Sequence, residues 1–401
     1  MAIPRYRGEA GPALLSAGFR PFFLLAAIWA AVAIPLWLLV FSGTQQLPTV
    51  FAPIDWHVHE MVFGYGAAVV AGFLLTAIPN WTGRMPLEGP PLLALVLLWL
   101  LGRAAVLFSA RIGEVPAAVL DLAFPAAFLL VVAREIVTGR NWRNLPMVAA
   151  LLSLFAANLL VHLDALGLAR TAAFGNRLGV ATLLMLISFV GGRIIPSFTR
   201  NWLAKERPEI AAPIPFGPFD RAALSVAALA LALWVVAPES DASAACALVA
   251  GLALVLRLAR WRGRAALREP LLLVLHLGYA WLALGFLLLG FDRLFPVLPQ
   301  TAALHALTVG AVGTMTLAVM TRASLGHTGR PLKAGPRTEA IYALVTLAAL
   351  LRLLSPLGGA HYLLVLSFAG AAWSGAFGLF VVFYGPILAA PRVRGERAHP
   401  L

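Results

Sequence analysis

Residues 55–79 read DWHVHEMVFGYGAAVVAGFLLTAIP, an ionisable head on a long apolar run. A membrane-spanning helix needs roughly 20 mainly apolar residues, and the run after Glu60 supplies them. The head, Asp55-Trp56-His57-Val58-His59-Glu60, places two imidazoles and two carboxylates at the edge of that span. Such groups are costly near lipid unless they are satisfied or used. The stretch therefore reads as a membrane helix with a polar site at its outer end, and the remainder of the chain reads the same way.

Hydrophobic residues make up 61% of the 401 residues, charged residues 12%, and the mean hydropathy is +0.89. Soluble proteins carry about 25% charged residues, so an ordinary soluble domain is excluded. Twelve spans are predicted at approximately 18–41, 60–79, 90–108, 116–136, 146–165, 174–195, 221–237, 242–259, 270–290, 301–321, 338–354 and 361–384. The tightest connection is Pro238-Glu239-Ser240-Asp241, between two short spans. The predicted fold is an all-α, polytopic helical bundle forming a single integral membrane domain over 1–401.

The net charge of +13 does not point to nucleic acid, because the basic residues are distributed by side. Arg84, Arg140, Arg143, Arg200, Lys205, Arg207, the Arg260–Arg268 cluster, Arg330, Lys333 and Arg337 all follow even-numbered spans. The 42–55 and 355–360 loops hold no positive charge. That is the positive-inside pattern, and it places both termini in the cytoplasm, with anionic lipid as the partner of the basic loops. The one cysteine, Cys246, rules out an internal disulfide and a four-cysteine cluster. No c-type haem attachment motif occurs, so any haem is held without a covalent bond.

The topology sorts the eight histidines. His57, His59, His162, His305 and His361 fall at the outer side, together with Asp55, Glu60, Asn158 and Asp164. His276 and His327 fall at the inner side, and His399 is in the tail. His361 and His399 read as interfacial residues. Imidazole binds haem iron and suits copper or zinc, and a carboxylate can orient a ligand imidazole through its second nitrogen. Residues two apart point to different helix faces, so His57 and His59 meet one metal only if the segment is extended. Two separate centres are the favoured reading. His57, His59, His162 and His305 are the expected metal- or haem-binding set, with His276 and His327 as a second-site pair. Glu60 is the expected proton relay or orienting group, and Asp55 and Asp164 are candidates for an outer proton path. At the inner side, Arg20 and Arg193 suit haem propionates or a quinone head group, although inner-end arginines also follow from topology alone. Gly64, Gly66, Gly72, Gly310 and Gly313 permit close helix packing or a flat cofactor against backbone.

Four separated motifs carry a resemblance over nearly the whole chain. They are Gly18-Phe19-Arg20-Pro21-Phe22-Phe23, Asp55 through Arg84, Gly191 through Asn201, and Ser324-Leu325-Gly326-His327-Thr328-Gly329-Arg330. In these the chain resembles the NnrS family of bacterial membrane proteins. The resemblance implies twelve spans, haem b and copper or another transition metal, location in the bacterial inner membrane, and a role in nitric oxide metabolism or resistance. The expected activity is reduction of nitric oxide to nitrous oxide, with electrons from quinol or a redox protein. A non-catalytic nitric oxide sensor or protective binder is the alternative, followed by a metal or haem transporter. The small-residue stripes serve internal packing as readily as dimer formation.

Overall fold

Lipid offers no hydrogen-bond partner to an open backbone, so an apolar chain of this composition closes its amides within helices. The computed structural model describes residues 11–294 and 299–393, and every regular element among them is helical. The expected cytoplasmic termini, with Arg394, Arg397 and His399, lie outside the described residues.

Among the described residues, eleven helical stretches are long and apolar enough to cross a membrane. They are α1 (Phe19–Phe41), α2 (Pro53–Thr82), α3 (Pro90–Leu107), α4 (Glu114–Thr138), α5 (Trp142–Ala165), α6 (Ala172–Glu206), α7 (Pro218–Val236), α8 (Asp241–Ala259), α9 (Pro270–Arg293), α10 (Gln300–His327) and a last stretch, Pro336–Ala389. The last stretch divides into α11 (Pro336–Leu354) and α12 (Tyr362–Ala389), joined by a tight turn in which Gly359 has φ +50°. The predicted spans fall on these helices. The largest differences are two extensions: α6 runs on to Glu206 and not 195, and α2 starts at Pro53 and not at residue 60, so the histidine pair lies within helix. Pro53 suits that start, because a proline at the first helical position gives up no intrahelical bond.

Four helices form the interior. The most apolar windows of α2, α6, α9 and α10 are 61–72% buried, against 33–44% elsewhere. α1 and α12 pack together and bring the two ends of the bundle side by side. Arg20 secures that junction by donating to the carbonyls of Leu388 (2.7 Å) and Ala390 (2.6 Å) at the end of α12.

Three of the four interior helices contain a widened turn with i→i+5 bonding: Glu60–Gly66 in α2, Ile187–Gly191 in α6 and Ala306–Gly313 in α10. Such π-turns are rare and concentrate at functional sites. Each has a carbonyl that accepts from a side chain. Trp99 Nε1 donates to Gly64 O (3.0 Å), Arg257 to Ser188 O (3.0 Å), and Thr316 Oγ1 to Val312 O (2.7 Å).

Arg257 is fully buried, bonded to Asp220 (2.9 Å) and to the Tyr279 hydroxyl (2.7 Å). Its guanidinium lies flat against Gly192, where any Cβ would come within 2.3 Å of it. Removing one partner of a buried ion pair leaves an uncompensated charge, which costs about 3–5 kcal/mol. Asp220→Ala is therefore expected to lower the unfolding midpoint in detergent sharply, and Asp220→Ala with Arg257→Met to recover part of the loss, since the Ser188 carbonyl then lacks its donor. A double variant no more stable than Asp220→Ala would contradict this role.

Candidate metal and cofactor centres

The i, i+2 spacing of His57 and His59 on a helix sends the two rings in different directions, and each reaches a different site. His59 enters a buried polar cluster built by four consecutive helices. α2 contributes His59 and Glu60, α3 contributes Arg103, α4 contributes Asp121, and α5 contributes Asn158 and His162. All six are at least 95% buried.

In this cluster Arg103 bridges Glu60 (2.7 Å) and Asp121. His59 Nδ1 faces Glu60 Oε1 at 3.1 Å. His59 Nε2 lies 2.9 Å from Asn158 Oδ1 and 3.2 Å from Asp121 Oδ2. His162 Nε2 meets the same Asp121 oxygen at 3.0 Å, and Asn158 Nδ2 donates to it at 2.8 Å. One ligand atom each from His59, Asp121 and His162 lies within 4.8 Å of the others.

Charge balance gives this geometry chemical content. Two carboxylates face one guanidinium, and both nitrogens of His59 face acceptor oxygens. The cluster calls for one more positive charge, either a proton or a metal cation. Two imidazoles and a carboxylate suit iron, copper or zinc. The contact of Glu60 with Nδ1 is the usual way of orienting a ligand imidazole. The residues present therefore fit a transition metal. Gly64 makes room for the cluster, since a Cβ there would lie 2.8 Å from the Arg103 guanidinium and 2.9 Å from Glu60.

His57 faces the other way, stacked on Trp37 at 4.3 Å between ring centroids. With His305 it lines a cavity of about 280 Å³ walled by Tyr65, Trp373 and Arg352. His305 Nδ1 donates to Thr301 O at 2.6 Å, which leaves Nε2 for a ligand. This cavity brings two imidazoles, aromatic walls and an arginine together.

A second cavity, of about 590 Å³, lies at the inner ends of α2, α6 and α10. It falls within the roughly 300–1,000 Å³ usual for small-molecule sites. Arg193 lies over Phe189 at 3.9 Å and Arg322 over Phe198 at 4.2 Å, while His327 packs on Phe19. Among the described residues neither guanidinium makes an ion pair.

Other expected residues are placed elsewhere. His276 does not line the cavity with His327. Its Nδ1 faces Leu272 O at 3.0 Å and its Nε2 faces Trp261 O at 3.5 Å, so the protein's own carbonyls surround it. Arg20 holds the end of α12 and does not line the inner cavity. Asp164 accepts from the backbone of Thr171 (2.6 Å) and Ala172 (2.8 Å), capping the start of α6. Asp55 is half-buried on α2, four residues before His59 and on the same face, with Asp164 as a charged neighbour. His361 is exposed in the α11–α12 turn. Gly66, Gly72, Gly310 and Gly313 pack on Leu183, Phe23, Trp281 and Trp373, so their space goes to helix packing.

Sequence reasoning missed Asp121, Arg103 and Arg352. The available signal was the rarity of charge in a span: Asp121 is the one acid in the apolar run 115–133.

Removing a group that orients a ligand imidazole typically costs 10–100-fold in metal affinity. Glu60→Gln is expected to weaken metal retention by about that factor, and His162→Ala or Asp121→Asn to abolish it. Elemental analysis against a graded chelator series measures this. Undiminished metal in His162→Ala would exclude the cluster as the site.

Curated proteins were searched with this chain and none matched. The family model described as NnrS protein matches residues 13–392, which span every helix and both candidate centres, and so the chain belongs to the NnrS family.

Proposed function

We propose that this protein reduces nitric oxide to nitrous oxide in the outer half of a bacterial cytoplasmic membrane. Family membership supports a role in nitric oxide and metal metabolism. The observation that favours reduction is the two-sided use of α2. One face supplies a histidine to a cavity shared with His305 and Arg352, and the other supplies a histidine to a buried cluster with Asp121 and His162.

The reaction combines two nitric oxide molecules, two protons and two electrons into nitrous oxide and water. In this reading one of His57 and His305 would ligate a haem iron and leave a position for nitric oxide, with Arg352 as the partner of a propionate. His59, Asp121 and His162 hold copper or another transition metal. When bound, these centres supply an open coordination position and one-electron redox chemistry.

The chain's own residues manage protons and access. Asp55 takes up a proton at the outer end of α2 and passes it toward Glu60, with Asp164 adding negative charge at the mouth. Glu60 carries the proton at the cluster, and Arg103 keeps Asp121 turned toward the imidazoles. Trp37, Tyr65 and Trp373 keep bulk water out of the His57 cavity. At the inner side, Arg193, Arg322 and His327 offer hydrogen-bond donors to the oxygens of a quinol. The aromatic walls of that cavity suit its ring.

Purified protein in nanodiscs, with haem and metals counted, would be reduced without oxygen and supplied with nitric oxide. Sustained formation of one nitrous oxide per two nitric oxide is expected, and Asp55→Asn is expected to slow it while haem and metal stay bound. Uptake that stops at one nitric oxide per centre, with fully loaded and reduced protein, would replace catalysis with a sensing or protective role.

A further inference from the structure

A third cavity, an apolar recess open on one side, lies between the outer and inner ones. Its walls come from the three interior helices that carry π-turns: Gly66, Val69 and Val70 from α2, Leu186 and Ile187 from α6, and Met315 from α10, with their neighbours. Its volume is about 80 Å³. It shares Leu183 and Val312 with the His57 cavity, and Phe73, Val190, Ile194 and Val319 with the arginine cavity.

The lining has almost no hydrogen-bonding capacity. Thr316 supplies the one hydroxyl, and that hydroxyl donates to Val312 O at 2.7 Å and pairs with the Tyr65 hydroxyl. A cavity holds water only where two or more polar partners are free, and an apolar one stays dry and takes up apolar molecules or xenon. The walls follow from the fold. Gly66 ends the α2 π-turn and lets Leu183 of α6 pack directly on the α2 backbone. The Ile187–Gly191 and Ala306–Gly313 turns displace the facing walls from regular helix.

We propose that this central cavity is a binding site for a small, uncharged, apolar gas, and that it delivers the gas to the His57 cavity from within the bilayer. The delivery role rests on the nitric oxide reading above, whereas the binding site does not. A dry apolar passage admits a diatomic gas and excludes water and ions. It therefore joins the two polar cavities for gas alone. Nitric oxide is uncharged and weakly polar, so it concentrates in hydrocarbon and meets this passage at membrane depth.

The test uses xenon as a probe and nitric oxide as the ligand, on full-length, haem- and metal-loaded protein in nanodiscs. Exchange-detected xenon-129 resonance reads occupancy of the cavity. Flash photolysis reads the bimolecular association rate of nitric oxide with the reduced protein. Val70→Trp and Leu186→Trp fill the central cavity from half-buried positions that line neither neighbouring cavity. Leu252→Phe, on the exposed face of α8, is the control. The expected result is xenon exchange in the wild type and control, its loss in a filling variant, and a fall of about tenfold in nitric oxide association. Two filling positions keep the test open if one variant fails to fold. Absence of xenon exchange in the wild type overturns the site. Loss of xenon with unchanged nitric oxide association overturns delivery. Xenon exchange in a protein that binds no nitric oxide leaves the gas site standing and removes the nitric oxide reading.

Discussion

Arg103, held between Glu60 and Asp121, is the constraint around which the outer half of the protein is arranged. A charge in hydrocarbon is tolerated only when it is paired. Meeting that condition draws α2, α3, α4 and α5 to one point, because each contributes a member of the network. It also fixes the direction of His59 through Glu60 and of His162 through Asp121. A site of this kind adds little net stability, since two imidazoles and two carboxylates must be desolvated to form it. Its retention in an otherwise apolar span is the mark of chemistry.

The second organising feature is the use of π-turns. A π-turn gives up regular helical bonding, and in a membrane the freed carbonyl has no water to turn to. Here Trp99, Arg257 and Thr316 each donate to such a carbonyl, and two of these donors are anchored further. Arg257 is fixed by Asp220 and Tyr279, and Thr316 is joined to Tyr65. The structure thus maintains three widened turns in adjacent helices, and between them lies a chain of three cavities. The outer one has imidazoles, the inner one guanidiniums, and the central one neither.

Much of this was legible in the sequence where it depended on composition and period. The apolar runs located the helices, and the i, i+2 spacing of His57 and His59 implied divergent rings once the segment proved helical. The cluster of His59 with His162 was not readable, because it depends on which helices touch, and only Asp121 and Arg103 reveal that. Arg20 and Asp164 resembled site residues because they are charged and near span ends. Their partners are the carbonyls ending α12 and the amides opening α6, which sequence spacing does not disclose. His276 had suggested a ligand by its depth, yet a carbonyl one turn away and another from Trp261 face its two nitrogens. The π-turns left no compositional trace beyond their glycines, which packing would equally explain.

The central claim is that α2 carries two separate centres on opposite faces. The most direct measurement is a paired comparison of His57→Ala and His59→Ala, reading the haem absorption band and the electron paramagnetic resonance of the non-haem metal in the same samples. The account predicts that His57→Ala loses or alters the haem signal and keeps the metal signal, while His59→Ala does the reverse. Loss of both signals together in each folded variant, or of the same one signal in both, would contradict it.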